Sequence, residues 1–236
     1  MGRGAGPGRA AGARAAAAAA PALKEGRAAV RALERGRQVV VLRRGGLRER
    51  AFEAQEALPG RFALLPTEFH AAHLREGLAP PDFDGAGGGP GSAAAARAGE
   101  VAVSSYAELT GAWAAPSESA RPLFDALASA GLHIWSPEFF SARLERDKPG
   151  PTSVLELRVY LLTEPIFVRE ADFAGCFSWV DLGAAGAAGS ASVLAAPAEP
   201  ALGFLEFSRR QAALRVALDR AAPGCPRLAV RDGPGA

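Results

Sequence analysis

The sequence predicts an α+β fold, a single mixed domain with a small central sheet flanked by helices and interrupted by low-complexity loops. Three observations point there. The run Thr152 to Leu162 (TSVLELRVYLL) alternates as a half-buried strand does, with Leu155, Leu157, Val159 and Leu161 to one side and Glu156, Arg158 and Tyr160 to the other. Ser117–Ala130 and Leu202–Ala221 instead repeat apolar residues at helical spacing. Between such segments lie Gly/Ala-rich stretches, 84–99 and 183–199, with few bulky side chains to bury.

Taken in order, residues 2–20 hold only Gly, Ala, Arg and one Pro. Such a segment buries too little surface to offset its ordering entropy, so 1–20 is expected to be a disordered tail. Pro21 suits the first turn of a helix; Leu23, Gly26, Val30 and Leu33 follow at helical spacing, and Gly36 is its stop. Gln38 to Arg43 is β-branched and continuous, which predicts a buried strand turned by Arg44-Gly45-Gly46. Phe62 to Leu65 predicts a strand ended by Pro66, and Thr67 caps a helix reaching Gly77. A loop insertion at 84–99 precedes a strand over Val101–Ala107 and a helix over Ser117–Ala130 that buries Leu123, Phe124 and Leu127. Ser136-Pro137-Glu138 opens another helix, with Ser as cap and Pro in the first turn.

Beyond the long strand, Ile166–Val168 and Cys176–Leu182 predict two short ones. The stretch 183–199 reads as a flexible linker. The final helix carries Phe204, Phe207, Leu214 and Leu218 on one stripe, and 223–236 reads as a disordered tail. The organisation expected is therefore a folded body over 21–182 and a terminal helix over 200–222.

Composition narrows the function classes. The 236 residues, 49% hydrophobic and 22% charged, fit one ordinary globular domain plus extra material. No stretch approaches the roughly 18 strongly apolar residues of a spanning helix, so no membrane partner is expected. The location expected is cytoplasmic, with plastid as the alternative, because the Arg-rich, acid-free start resembles a transit peptide while lacking serine. Cys176 and Cys225 form neither a disulfide framework nor a zinc ribbon. Residues 1–50 carry twelve Lys and Arg against three Glu, a local charge of +9, which hints at an anionic partner.

Four segments together resemble a known family. They are Ala22-Leu-Lys-Glu25 leading into Gly36-Arg-Gln-Val-Val-Val-Leu-Arg-Arg-Gly-Gly46; Phe62-Ala-Leu-Leu-Pro-Thr67 with His70; His133-Ile-Trp-Ser136; and Leu157-Arg-Val-Tyr-Leu161 with Gly175-Cys176 and Ser178-Trp-Val180. In this order they are similar to the uncharacterised domain of unknown function 1802 of cyanobacteria, other bacteria, algae and plants. The chain departs from that pattern at Gly26, where the family tends to Trp, and at Ala71, where it tends to Gln. The resemblance implies an architecture and no activity.

Candidate chemistry is sparse. His70 and His73 with Glu76 have the helical spacing of metal ligands, but helical His pairs are mostly surface residues, and neither metal nor cofactor is expected. His133 beside Trp135 could act as a general acid or base; the plainer reading is that Ile134 and Trp135 anchor the helix start while His133 satisfies a local carbonyl. Cys176 and Ser178 lack a nucleophile elbow, and the Gly-rich stretches lack the Lys-Ser/Thr of a phosphate loop.

The basic residues offer more. Lys24, Arg27, Arg31 and Arg35, then Arg37, Arg43 and Arg44, are expected to form one positive surface with Arg158 and Tyr160, suited to phosphate backbones. The helix, Gly-Arg-Gln and strand are similar to the small RNA-binding barrels associated with pseudouridine synthases, by fold analogy alone. Two functions from different classes follow. One is a non-catalytic binding module for nucleic acid or another polyanion. The other is an enzyme with a pocket near His70, His133 and Arg158; a scaffold or interaction domain is the third, plainest option.

Overall fold

The structure, a computed structural model, describes residues 19–44, 58–67, 97–146, 150–175, 177–183 and 193–231. In chain order these form strand β1 (Pro21–Gly26), helix α1 (Arg27–Glu34), β2 (Val40–Arg44), β3 (Leu58–Pro59), β4 (Arg61–Thr67) and β5 (Glu100–Ala115). There follow α2 (Ala120–Ser129), α3 (Pro137–Arg146), β6 (Thr152–Arg169), β7 (Trp179–Asp181), β8 (Ala198–Pro200), α4 (Phe204–Ala221) and β9 (Val230–Arg231). The fold is α+β, a mixed sheet curled into a half-barrel with four helices among the described residues.

Sheet order is β2-β6-β5-β4-β1-β7, and β8 joins β6 farther along the edge that β2 occupies. The long antiparallel pair β5–β6 is the spine. Its register breaks twice, between Val103 and Ser105 and between Leu109 and Gly111. At the first break β6 runs on through Thr163-Glu164-Pro165, so the strands expected at Thr152–Leu162 and Ile166–Val168 are one. Proline is tolerated where the ladder is already interrupted.

Pro21–Gly26 is a strand and not the start of a helix. It pairs parallel with β4, from Ala22↔Ala63 to Gly26↔Thr67, and antiparallel with β7. Ladders on both edges satisfy its backbone in a way local propensity does not foresee, and Pro21 sits where a strand tolerates it, at the first residue. The helix begins only at Arg27. It ends as expected at Gly36, whose φ is +65°: Gly36 N–H donates to Leu33 O and Arg37 N–H to Ala32 O, a complete Schellman motif. The same motif closes α2 at Gly131. Ser136 caps α3 by accepting the Phe139 N–H at 3.2 Å.

Val30 and Leu33 of α1 share one apolar cluster with Leu23, Val41, Phe62, Leu64, Leu155, Leu157, Val159 and Trp179. Both edge strands, β2 and β7, contribute to it, so α1 fills the trough of the half-barrel. The opposite sheet face meets α2 and α4 through Val40, Trp113, Val154, Leu123, Leu127, Phe207, Leu214 and Leu218. The expected alternation of β6 holds, but its second face is not open throughout: α4 covers it around Val154 and Glu156.

Further expectations change. Part of the stretch 183–199 is built into the fold, since Val193 is fully buried and β8 pairs with β6. The tail is ordered through Arg231, where β9 pairs with β3 and Leu228 packs on the core. Phe204 is not on the buried stripe of α4; it is 67% exposed. Pro66 does not end its strand: β4 runs on to Thr67, paired with Gly26, so Thr67 is a strand residue where a helix cap was expected. The rest of the helix expected over Thr67–Gly77, most of the 1–20 tail and of the 84–99 insertion, and Cys176 lie outside the described residues.

Candidate functional site

The curl of the sheet brings β2 to the opposite edge, and Arg43 spans the seam. Its guanidinium donates to Ser178 Oγ at 2.7 Å and to the Lys24 carbonyl oxygen, and lies 3.1 Å from the Glu25 carboxylate. Both side chains of that ion pair are largely buried, 16% and 14% exposed. The second Glu25 oxygen accepts the Gly26 N–H at 2.9 Å. Lys24 holds the same region from the other side: its Nζ donates to Phe173 O at 2.6 Å and Gly175 O at 2.8 Å, and its N–H to Ser178 O at 2.7 Å.

Beside Lys24 opens a cleft of about 500 Å³. It lies where the parallel strands β1 and β4 end; among the described residues its lining includes apolar Leu65, Pro66, Val101 and Phe173 and polar Lys24, Thr67 and Glu170. From Gly26, register partner of Thr67, the chain passes directly into α1. There Ala29, Val30, Ala32 and Leu33 turn inward, while Arg27 and Arg31 are half-buried and Arg35 and Arg37 exposed. Arg44 is half-buried at the end of β2, with Leu42, Trp135, Phe139 and Phe140 around it.

Arg158 and Tyr160 do not join that group. They belong to a stack across the outer face of the sheet. Arg61 lies over the Tyr106 ring at 5.2 Å, Tyr106 stacks on Tyr160 at 5.0 Å, and Arg158 sits 5.6 Å from Tyr160 and 5.7 Å from Phe207 of α4. Glu108 ties the stack together, one oxygen paired with Arg61 and the other accepting the Tyr160 hydroxyl at 2.8 Å. Burial and then the Glu108 hydrogen bond push the Tyr160 hydroxyl up to about 12; burial raises Tyr106 as well.

His133 is buried against Phe124, ring to ring at 4.4 Å. Its Nε2 donates to Phe124 O at 3.2 Å and its Nδ1 accepts the Trp135 N–H at 3.2 Å, which fixes a neutral ring with both nitrogens spent. Burial holds its pKa below the ordinary value, against the opposing pull of the Phe124 carbonyl and Asp125. Among the described residues His133 and Arg158 share no partner. His70, His73 and Glu76 lie outside the described residues; among the described residues no group of three or more His, Cys, Asp or Glu could hold a metal ion.

Two polar clusters escaped sequence reasoning. Arg61 and Glu108 flank the expected strands without belonging to them. Glu156 stood on the polar side of the alternation, yet α4 encloses it completely: its Oε2 accepts from Thr110 Oγ1 at 2.7 Å, Gln211 Nε2 at 3.1 Å and Arg215 at 3.1 Å. No described helix is long and apolar enough to cross a membrane.

Fold and seam define an α+β half-barrel protein, plugged by one helix and closed by a buried arginine. The family model that matches it, over residues 22–201, is Domain of unknown function (DUF1802), and the chain belongs to this family. No curated protein and no solved structure matches the chain. All the segments that carried the resemblance fall within the match. Lys24, Glu25, Arg43, Thr67, Gly175 and Ser178 come from three of them, and they meet at the seam and its cleft.

Proposed function

We propose that the protein is a non-catalytic binding module for nucleic acid or another polyanion. The observation that carries this reading is the division of α1. Its inward residues fill the half-barrel, and half-buried Arg27 and Arg31 with exposed Arg35 lie on its other side in steps of about 6 Å along the helix axis. A row of guanidinium forks suits successive phosphates and releases their counterions on binding.

The surface is smaller than the residue set expected from sequence. Arg43 is committed to the seam, and Arg158 and Tyr160 to the sheet stack. The enzyme reading is less well supported, because His133 spends both ring nitrogens on the main chain and retains no site for proton transfer.

Retention on immobilised heparin and on single-stranded RNA tests the proposal. Binding is expected to weaken steeply with salt. The triple variant Arg27→Glu, Arg31→Glu, Arg35→Glu should elute at much lower salt and flatten the log–log salt dependence by about 2 or more. Retention unchanged in that variant overturns the reading.

A further inference from the structure

We infer that the cleft beside Lys24 is a nucleotide subsite that takes a single base of the bound strand; this rests on the polyanion-binding reading above. Three features converge there. Its volume, about 500 Å³, lies in the range of small-ligand pockets and exceeds what one base requires. Its described lining is largely apolar, Leu65 and Pro66 from β4 with Val101 and Phe173, which suits the face of a flat heterocycle. Its polar members differ in kind. The Glu170 carboxylate accepts from exocyclic amino or ring N–H groups, and the Lys24 ammonium, set in place by two main-chain carbonyls, attracts phosphate.

Position completes the case. Lys24 precedes Arg27 by three residues, and Thr67 of the cleft is the register partner of Gly26, where α1 begins. The start of α1 and the cleft thus adjoin the same end of β1 and β4, so a strand bound at Arg27 lies near the cleft. An acyl chain would leave both charges without use, and a bare phosphate would leave the apolar walls uncovered. A base with its phosphate engages both. Base stacking of this kind is sequence-tolerant, so the subsite distinguishes nucleic acid from other polyanions and not one sequence from another.

The test compares a labelled single-stranded RNA oligomer with an abasic ribose-phosphate oligomer of equal length. Wild-type protein is expected to bind the base-bearing strand about tenfold more tightly. Ala171→Trp and Ala174→Trp, at exposed positions lining the cleft, should each fill it from its rim and equalise the two affinities. The triple arginine reversal should weaken both polymers while preserving their ratio. Equal affinities in wild-type protein overturn the subsite and leave the polyanion surface standing. If neither polymer binds, the surface reading falls, and titration with nucleoside monophosphates decides the cleft: saturable binding lost in Ala174→Trp upholds it, and no binding removes it.

Discussion

Arg43 and Ser178 stand 135 residues apart in the chain, and the guanidinium of one donates to the hydroxyl of the other at 2.7 Å. One sits on β2 and the other just before β7, the two ends of the sheet order. A flat sheet could not bring them together, so their contact measures how far the half-barrel has curled. Because Arg43 also reaches Glu25 and the Lys24 carbonyl, a single side chain fixes the geometry around the cleft.

Arg43→Met is accordingly expected to destabilise the protein by about 2–4 kcal/mol, chiefly by leaving Glu25 without its charged partner in a largely buried setting. Arg43→Lys should recover little, because one ammonium cannot serve three acceptors arranged for a planar fork. Ser178→Ala should cost about 1.5 kcal/mol, the share of one hydrogen bond to a charged group. Urea midpoints at constant m-value check all three.

How much of this was legible in the sequence depends on the range of the forces involved. The α3 cap at Ser136 and the stop at Gly36 are local patterns and stand as expected; the alternation along Thr152–Leu162 sends Leu155, Leu157 and Val159 to one core as expected, but burial covers Thr152–Leu157 on both faces and takes Leu162 in place of Leu161. Pro21–Gly26 was illegible because Leu23 and Val30 do fall at helical spacing; only the two ladders from residues 61–67 and 179–181 make the segment a strand. The site divides in the same way. Lys24, Arg43 and Ser178 could each be singled out within family-like segments, but their meeting depends on the register of the whole sheet. Glu108 was missed because it lies one residue past the expected end of its strand at Ala107, which in fact runs to Ala115.

His133 makes stability depend on pH in a predictable direction. Burial lowers its folded-state pKa below the ordinary 6.5, so the unfolded chain takes up the proton first. Stability should be intact above 6.5 and fall as pH drops from there toward the lowered value. His133→Gln should show a shallower decline between about pH 7 and 5 when urea midpoints are compared. An equal slope in both proteins would assign the dependence to other groups.

The two tyrosines of the chain give an opposite signature at high pH. Tyr160 is pushed up to about 12, first by burial and then by its hydrogen bond to Glu108, and Tyr106 is raised as well. Their phenolate absorbance should therefore develop late in an alkaline titration. The associated stability is present below the unfolded value near 10 and is lost as pH rises through about 12. Glu108→Gln should bring the Tyr160 step to lower pH, since a neutral amide does not repel the phenolate.

Glu156 and Arg215 form a pair whose two members are buried very unequally, 0% exposed for the glutamate and 40% for the arginine. That inequality predicts which substitution costs more. Arg215→Met leaves a fully enclosed carboxylate with only the Thr110 hydroxyl and the Gln211 amide, and should destabilise by about 3 kcal/mol. Glu156→Leu leaves an arginine that still reaches water and still lies 4.3 Å over the Trp113 ring, so its cost should be nearer 1–2 kcal/mol. The double variant should resemble Glu156→Leu alone, because once the buried charge is gone the arginine has little left to neutralise. A thermodynamic cycle on the urea midpoints checks the order. Equal single costs would mean that water reaches the carboxylate, and that α4 lies less tightly on β6 than the packing of its Phe207 and Leu214 around Val154 describes.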